Sequence, residues 1–166
     1  MTFFQRIASW LRRDQTLDLA TGILVRVRNG LNAEPNATER GQWRDPDEVW
    51  NSRKEKRATC RHAATVMMYQ LVRQGLATES SIVYVEGTHT RVPQGQTRHA
   101  WLEWEHGGRT YIVDPYGQEY VWRASSLPRG EYDGVLHLNL TAVRNRIQAA
   151  QMSEEYAERH PNDTRS

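Results

Sequence analysis

The chain has 166 residues, 38% of them hydrophobic, and its 22 Lys and Arg against 20 Asp and Glu leave a net charge of +2. That length suits one domain with a real core, and so small a charge gives no electrostatic reason to expect a nucleic-acid partner. The single cysteine, Cys60, excludes an internal disulfide and favours a reducing compartment.

The N-terminal part of the chain predicts helices. Apolar residues at helical spacing indicate one helix over residues 3–13 and a second over 17–31, although "ILVRVR" within the second also fits a strand. We expect the first helix to pack on its own domain; docking on a membrane or a partner is the alternative. Arg6 interrupts the first apolar run, there is no basic start, and no stretch approaches the ~18 apolar residues of a membrane span. We therefore expect a cytoplasmic protein without a membrane span.

Two further helices precede the middle of the chain. Residues 32–44 have the composition of a loop, and "DPDE" then predicts a short helix over 46–52 with Asp45 as its cap and Pro46 at its first position. The next helix is expected from about Thr59 to Gln74, with Gly75 as its stop. Cys60 lies in its first turn, on the same face as its apolar residues.

Beyond Gly75 the apolar period changes to that of strands. Strands are predicted at "SSIVYVEG", "RHAWLEWE", "TYIVDPY", "EYVWR" and "GVLHLNL", with a mobile loop at "THTRVPQGQT" and a last helix from about Thr141. The fold class is therefore α+β, with N-terminal helices and a central Cys-bearing helix packed on an antiparallel sheet. We expect a single domain over 1–166, with a core of about 43–140, N-terminal helices over 1–31 and a C-terminal helix over about 141–158.

Cys60 admits three interpretations: a small buried hydrophobe, a metal ligand or a nucleophile. A helix N-terminus favours the thiolate, because unpaired backbone N–H groups and the helix dipole stabilise a negative charge there. Basic residues also stand nearby in the sequence, between Arg53 and Arg61. Position alone does not decide between a nucleophile and a structural thiol.

The predicted hairpin adds a second observation. A two-residue turn at Gly107 and Gly108 places Trp101 opposite Asp114 and makes His99 the diagonal neighbour of Asp114 on one face, ~7–8 Å away or closer. An acid beside an imidazole holds one tautomer and stabilises its charged form. Cys60, His99 and Asp114 together have the general form of a thiol acyl-transfer site. Otherwise, Asp114 is a strand-ending turn residue and His99 an ordinary sheet histidine.

A mixed zinc set of Cys60, His62, His99 and Asp114 is the metal alternative. The Cys-x-His spacing is not a strong zinc signature, and the chain has no second cysteine. We expect no metal and no cofactor, and we expect His62 on the flank of its helix, exposed or partly packed.

The order of a Cys opening a helix, then "HAW", then "DP" resembles that of the transglutaminase-like cysteine proteins of the papain-like fold, of the bacterial cysteine peptidase type. The resemblance covers roughly residues 43–120. It implies that Cys60 is the nucleophile, His99 the base and Asp114 the residue that orients His99.

The default oxyanion donor is the backbone N–H of Cys60. Side-chain candidates for a second donor or a substrate contact are Gln42, Trp43, Trp50 and Trp101. Packing or loop structure is the alternative role for the first three, and Trp101 is expected beside the site as a wall that limits water.

The predicted function is thiol-dependent acyl transfer on an amide of a protein or peptide substrate, with hydrolysis by a cysteine peptidase preferred. A protein transglutaminase, a deamidase or a non-catalytic binding protein on the same fold are the alternatives. Substrate choice is expected to lie in "THTRVPQGQT" and in the segment before Cys60.

Overall fold

The computed structural model describes residues 3–31, 43–53, 58–90 and 99–159, with side chains of the first helix described from residue 15. The elements in these ranges are α1 (Phe3–Leu31), α2 (Pro46–Asn51), α3 (Cys60–Arg73), β1 (Ile82–His89), β2 (His99–His106), β3 (Arg109–Val113), β4 (Trp122–Arg123), β5 (Tyr132–Leu138) and α4 (Leu140–Arg159). The strands form one antiparallel sheet in the order β4-β3-β2-β1-β5. The class is α+β, as predicted.

The N-terminal segment is one continuous helix, where the sequence predicted two. No glycine or proline stands between residues 13 and 17 to end the first of them. The segment "ILVRVR" is helical as well. Its apolar residues lie at helical spacing and are buried on one stripe, which packs on α3: Ala20, Ile23, Leu24, Val27 and Leu31.

The next two helices begin where their caps predicted. The Asp45 carboxylate accepts hydrogen bonds from the backbone N–H groups of Asp47 and Glu48, and Pro46 occupies the first turn. Helix α3 begins at Cys60 and is followed by Gly75, whose φ of 70° is the left-handed conformation that ends helices.

The sheet has a different core on each face. Alternate residues of β2, among them Leu102 and Trp104, belong to the large core that contains the helices. Trp101 points to the opposite face and joins Val85 and Ile112 in a smaller cluster, which residues 124–132 partly cover. His99, two residues before Trp101, lies on that second face at the end of the strand.

The β2–β3 hairpin has the predicted register. Leu102 pairs with Val113 and His106 with Arg109, so the turn consists of Gly107 and Gly108 alone. Their φ values of 59° and 72° are those of a type I′ turn, which suits glycine because it has no Cβ.

Strand β1 extends further than predicted. Thr88 and His89 were assigned to a mobile loop, but they pair with Asp133 and Tyr132 of β5, beyond a bulge at Glu86 and Gly87. Pairing with a distant strand therefore outweighs the local loop signal. Residues 91–97 of that loop lie outside the described residues.

None of the helices in the described ranges combines the length and the hydropathy that crossing a bilayer requires.

Candidate active site

Cys60 is held at the first position of α3 by a reciprocal cap. The backbone N–H of His62 donates to Thr59 Oγ1 (3.4 Å), and the backbone N–H of Thr59 donates to His62 Nδ1 (3.2 Å). His62 is therefore buried in the helix start, and its predicted place on an exposed flank is wrong. Cys60 itself is half-buried.

Arg61 ties the start of α3 to the sheet. Its Nε lies 2.9 Å from Glu86 Oε1 on β1, and the Tyr84 hydroxyl donates to the same oxygen at 2.6 Å. Its guanidinium also lies over the Trp43 ring, 5.0 Å from the centroid. The positive charge next to Cys60 is thus paired with a carboxylate, and its clear role is to fix the helix start in place.

His99 and Asp114 form a direct pair. His99 Nε2 lies 2.7 Å from Asp114 Oδ2, and neither side chain has any exposed surface. The predicted hairpin register puts both on one face, and the contact is closer than the diagonal distance alone suggested.

Asp114 is a fully buried carboxylate that accepts from four groups. Oδ1 accepts from the backbone N–H groups of Tyr116 (3.0 Å) and Gly117 (2.8 Å), while Oδ2 accepts from His99 and from the Tyr132 hydroxyl (3.0 Å). Burial alone would raise the pKa of Asp114, but the hydrogen bonds and the charge of His99 outweigh it and lower that pKa. A Cβ at Gly117 would overlap the carboxylate, so glycine is required there.

The other ring nitrogen of His99 is the one available to the thiol. Among the described residues Nδ1 has no partner within strict hydrogen-bonding geometry, yet the Cys60 side chain is close enough to act on the ring as a hydrogen-bonding and charged neighbour. Such contacts are often long before substrate binds. Burial opposes a charged imidazole, but Asp114 and Cys60 prevail and raise the pKa of His99 to about 9. The ring is therefore an imidazolium near neutral pH.

A second histidine stacks against the first. The His89 ring lies 5.3 Å from that of His99 and 4.2 Å from that of Tyr132, nearly parallel to each. Its Nε2 is 3.5 Å from Glu131 Oε1, and both side chains are 3% exposed. Burial lowers the pKa of His89, with the nearby His99 charge acting in the same direction, so this ring is the neutral one.

Sequence reasoning missed His89, Tyr132, Tyr116 and Gly117. No motif marks the first two, because their approach depends on the distant β1–β5 pairing. The glycine three residues after Asp114 was a usable signal, since a carboxylate that accepts from the next backbone N–H groups is a common turn.

The candidate donors of the lead-in segment have packing contacts. Gln42 lies outside the described residues. The Trp43 ring packs 5.2 Å from that of Tyr84 and is also 5.6 Å from the Arg146 guanidinium.

The other two tryptophans also have structural surroundings. The Trp50 ring lies against Gly30, with the Arg53 guanidinium 4.5 Å from its centroid. Trp101 is fully buried, and its ring is 6.1 Å from that of His99. It therefore stands beside His99 as a wall, with its indole nitrogen enclosed.

One group among the described residues brings enough ligand atoms together for a metal. Atoms of His89, His99 and Asp114 lie within 4.8 Å of one another. This set contains His89 in place of the Cys60 and His62 of the zinc set considered from the sequence. The Nδ1 atom of His62 accepts a hydrogen bond within the helix cap. Two imidazoles and one carboxylate suit zinc rather than calcium, which prefers oxygen ligands. In the structure His99 Nε2 and Asp114 Oδ2 are hydrogen-bonded to each other.

The fold has known structural neighbours. Three structures of Legionella pneumophila LapG superpose with 16% sequence identity: an EGTA-treated form (TM-score 0.53, covering 76% of this chain and 69% of LapG), a calcium-bound form (0.52, 76% and 71%) and a further form (0.53, 75% and 69%). No protein-family model matches the sequence, and a sequence comparison with curated proteins finds no relative. At this identity the likeness establishes the fold, an α+β domain with a transglutaminase-like core.

Proposed function

We propose that this protein is a cysteine peptidase, a thiol-dependent hydrolase of amide bonds in proteins or peptides. The observation that carries the proposal is the His99–Asp114 pair. Because Nε2 is hydrogen-bonded to Asp114, Nδ1 is the ring nitrogen left to interact with the neighbouring Cys60 thiol at the start of α3. This supports the assignment of Cys60 as nucleophile, His99 as base and Asp114 as the orienting carboxylate of a thiol acyl-transfer site.

In the first half of the proposed reaction the Cys60 sulfur attacks the amide carbonyl carbon. The negative charge on the carbonyl oxygen is stabilised at the helix start, where the backbone N–H of Cys60 is the donor we assign. The C–N bond then breaks, and the His99 Nδ1 proton passes to the leaving amine. A thioester to Cys60 remains.

In the second half a water molecule attacks the thioester carbonyl. His99 takes one proton from that water, the C–S bond breaks and a carboxylic acid leaves. The returned proton restores the imidazolium beside the thiolate. Asp114 keeps its hydrogen bond to Nε2 throughout and remains ionised, as its lowered pKa requires.

Hydrolysis is preferred over transamidation because water is always available and no amine pocket was recognised in the sequence. An amine in place of water would make the same site a transglutaminase, and a glutamine side-chain amide as substrate would make it a deamidase. We place the protein in a reducing compartment such as the cytoplasm, where the single thiol stays reduced.

Two measurements on one set of variants test the proposal. Wild-type protein is incubated with a mixture of peptides from a digested proteome, and new termini are identified by mass spectrometry; reaction of Cys60 with iodoacetamide is followed at pH 6 to 7. We expect cleavage and fast alkylation in the wild type, and no cleavage in Cys60→Ala, which should lose no more than ~1 kcal/mol of unfolding free energy.

The control is Asp133→Asn, a change at an exposed carboxylate on the same strand as Tyr132, which should cleave like the wild type. Amide cleavage that persists in Cys60→Ala would contradict the proposal. Slow alkylation with no cleavage would favour the non-catalytic binding protein. New amide cross-links or deamidated glutamines without new termini would identify one of the other two reactions.

A further inference from the structure

A cavity of about 330 Å³ adjoins the candidate active site. Two of its lining residues belong to the surroundings of the catalytic pair: His89, which stacks on His99, and Gly117, whose backbone N–H donates to Asp114. A group bound in the cavity would therefore be separated from the His99–Asp114 pair only by residues that contact it. The volume is at the small end of the range for ligand pockets, which suits a single side chain.

The charged side chains of the cavity are acidic. Glu131 is 3% exposed in its wall, and Glu119 lines its more open part, where its carboxylate lies 3.3 Å from Arg28 Nη1. None of the described residues that line it is a lysine or an arginine, although the chain as a whole carries a net positive charge. The one lining histidine, His89, is neutral because burial lowers its pKa. With Glu119 paired to Arg28, it is the carboxylate of Glu131 that gives the wall of the cavity the charge of a cation site.

Its polar atoms favour a ligand that donates hydrogen bonds. The Gln118 side chain is 8% exposed, lines the cavity, and its Oε1 has no hydrogen-bond partner among the described residues. A buried acceptor without a partner is costly, and a bound donor removes that cost. Together with the Glu131 carboxylate, Gln118 provides acceptors on more than one side.

The outer part of the cavity is aromatic. Tyr120 and Trp122 both line it, are 58% and 42% exposed, and meet edge to face with their ring centroids 6.4 Å apart. Exposed aromatic rings beside a carboxylate attract organic cations, above all the planar guanidinium.

We propose that this cavity is a substrate subsite that binds the basic side chain of a peptide, with arginine preferred over lysine. A guanidinium is planar and offers five N–H donors, so it can bond to Glu131 and Gln118 at once while it stacks on Trp122. The assignment of the bound group to a substrate rests on the proposed peptidase function. Occupation of the cavity itself does not require catalysis.

The binding test uses full-length protein with Cys60→Ala, so that the ligand stays intact. N-acetyl-L-arginine amide is titrated and followed through the indole NMR signals, and N-acetyl-L-citrulline amide, of the same shape but uncharged, is the matched ligand. We expect the arginine compound to bind at least tenfold more tightly than the citrulline compound. Glu131→Gln should weaken arginine binding at least tenfold, whereas the same change at the exposed Glu154 in α4 should leave it unchanged.

Because Glu131 is buried, circular dichroism first checks that the Glu131→Gln protein folds. If it does not, Glu119→Gln and Trp122→Leu decide, and each should weaken arginine binding at least threefold. Equal binding of the two ligands, or binding insensitive to the variants that fold, overturns the subsite.

A cleavage experiment separates this inference from the peptidase proposal. Wild-type protein should cut a peptide mixture with a basic residue enriched at one fixed position from the scissile bond, and Glu119→Gln should reduce that enrichment. Cys60-dependent cleavage with no basic preference overturns the subsite and leaves the peptidase intact. Arginine binding that depends on Glu131 without any cleavage overturns the peptidase proposal and shows that the cavity is a cation site with a different function.

Discussion

Asp114 is a carboxylate with no exposed surface, and a charge in such a place is stable only if its oxygens find donors. The structure supplies two backbone N–H groups from the turn after β3, the imidazole of His99 and the hydroxyl of Tyr132. Two of these donors are local to the turn and two come from other strands. Asp114 therefore joins β2, β3 and β5 at one point as well as holding the His99 ring.

Tyr132→Phe tests that role at the scale of one hydrogen bond. The change removes the hydroxyl donor but keeps the ring that stacks on His89. A hydrogen bond to a charged group is worth ~1.5–3 kcal/mol, so we expect the free energy of unfolding in urea to fall by about that amount. The rate of Cys60 alkylation should fall as well, because Asp114 then fixes His99 less firmly.

The control for this variant is Tyr120→Phe, which removes a hydroxyl from an exposed tyrosine in the same part of the chain. Its stability and alkylation rate should match the wild type. If Tyr132→Phe also leaves the stability and the alkylation rate unchanged, the Tyr132 hydroxyl does not stabilise the Asp114 carboxylate.

At the scale of the elements, the best-predicted parts of the site are those fixed by short-range geometry. The two glycines allow only a narrow set of turns, and the resulting register puts His99 and Asp114 on one face without any knowledge of the rest of the fold. The start of α3 could also be predicted from the sequence, because a threonine before an apolar helical stripe is a typical helix cap.

The parts that could not be predicted depend on contacts between distant segments. His89 and Tyr132 meet only because β5 pairs with β1, 43 residues apart in the chain at that point and beyond a bulge. Neither the pairing nor the bulge has a local sequence signal. The burial of His62 was missed for a different reason, which is local. In the usual Ser/Thr-x-x-Glu capping pattern the third residue after the cap is a glutamate, whereas here a histidine accepts from the backbone N–H of Thr59.

Two glycines in different elements should respond in opposite ways to alanine. Gly108 has a φ of 72° in the hairpin turn, where a Cβ is strained, so Gly108→Ala should lower the unfolding free energy by ~1–2 kcal/mol. Gly22 is exposed inside α1 and a Cβ there meets nothing within 4 Å, so Gly22→Ala should raise it by ~0.5–1 kcal/mol.

Urea unfolding of the two single variants and the wild type measures both effects. If Gly108→Ala is neutral, the turn tolerates another geometry and the His99–Asp114 register is not set by it. Destabilisation by Gly22→Ala would mean that α1 is not a regular helix at that residue.

In the whole molecule, the candidate site lies where the two cores of the sheet meet. Helix α3 belongs to the large core, while His99 and Trp101 point to the smaller cluster on the other face. His99 is the first residue of β2 and Cys60 the first residue of α3, so the imidazole and the thiol are neighbours where these two elements begin. The buried ion pair at that junction links the chemistry of the site to the stability of the entire fold.

That link predicts how stability depends on pH. The pKa of His99 is raised to about 9 in the folded protein, from about 6.5 when unfolded. A raised pKa means that the folded state holds the proton more tightly, so the contribution is fully present below pH 6.5 and is lost as the pH rises through 9. The lowered pKa of Asp114 acts at low pH. Its contribution to stability is lost only as the pH falls below the ordinary pKa range of an aspartate.

The measurement is urea unfolding between pH 7 and 9.5. His89, whose pKa is lowered in the folded protein, is present in both proteins compared, so its contribution cancels in their difference. Wild type and His99→Gln are compared, each also carrying Cys60→Ser so that no thiol titrates in this interval. This background removes the contribution of Cys60 to the raised pKa of His99 and leaves that of Asp114. Glutamine can still donate to Asp114 but has no charge to lose. We expect the stability advantage of the histidine protein to shrink steadily across the interval, by on the order of 3 kcal/mol or less. An advantage that stays constant from pH 7 to 9.5 would show that Asp114 alone does not hold the proton on His99, and the imidazolium of the proposed leaving-group step would then have to depend on Cys60.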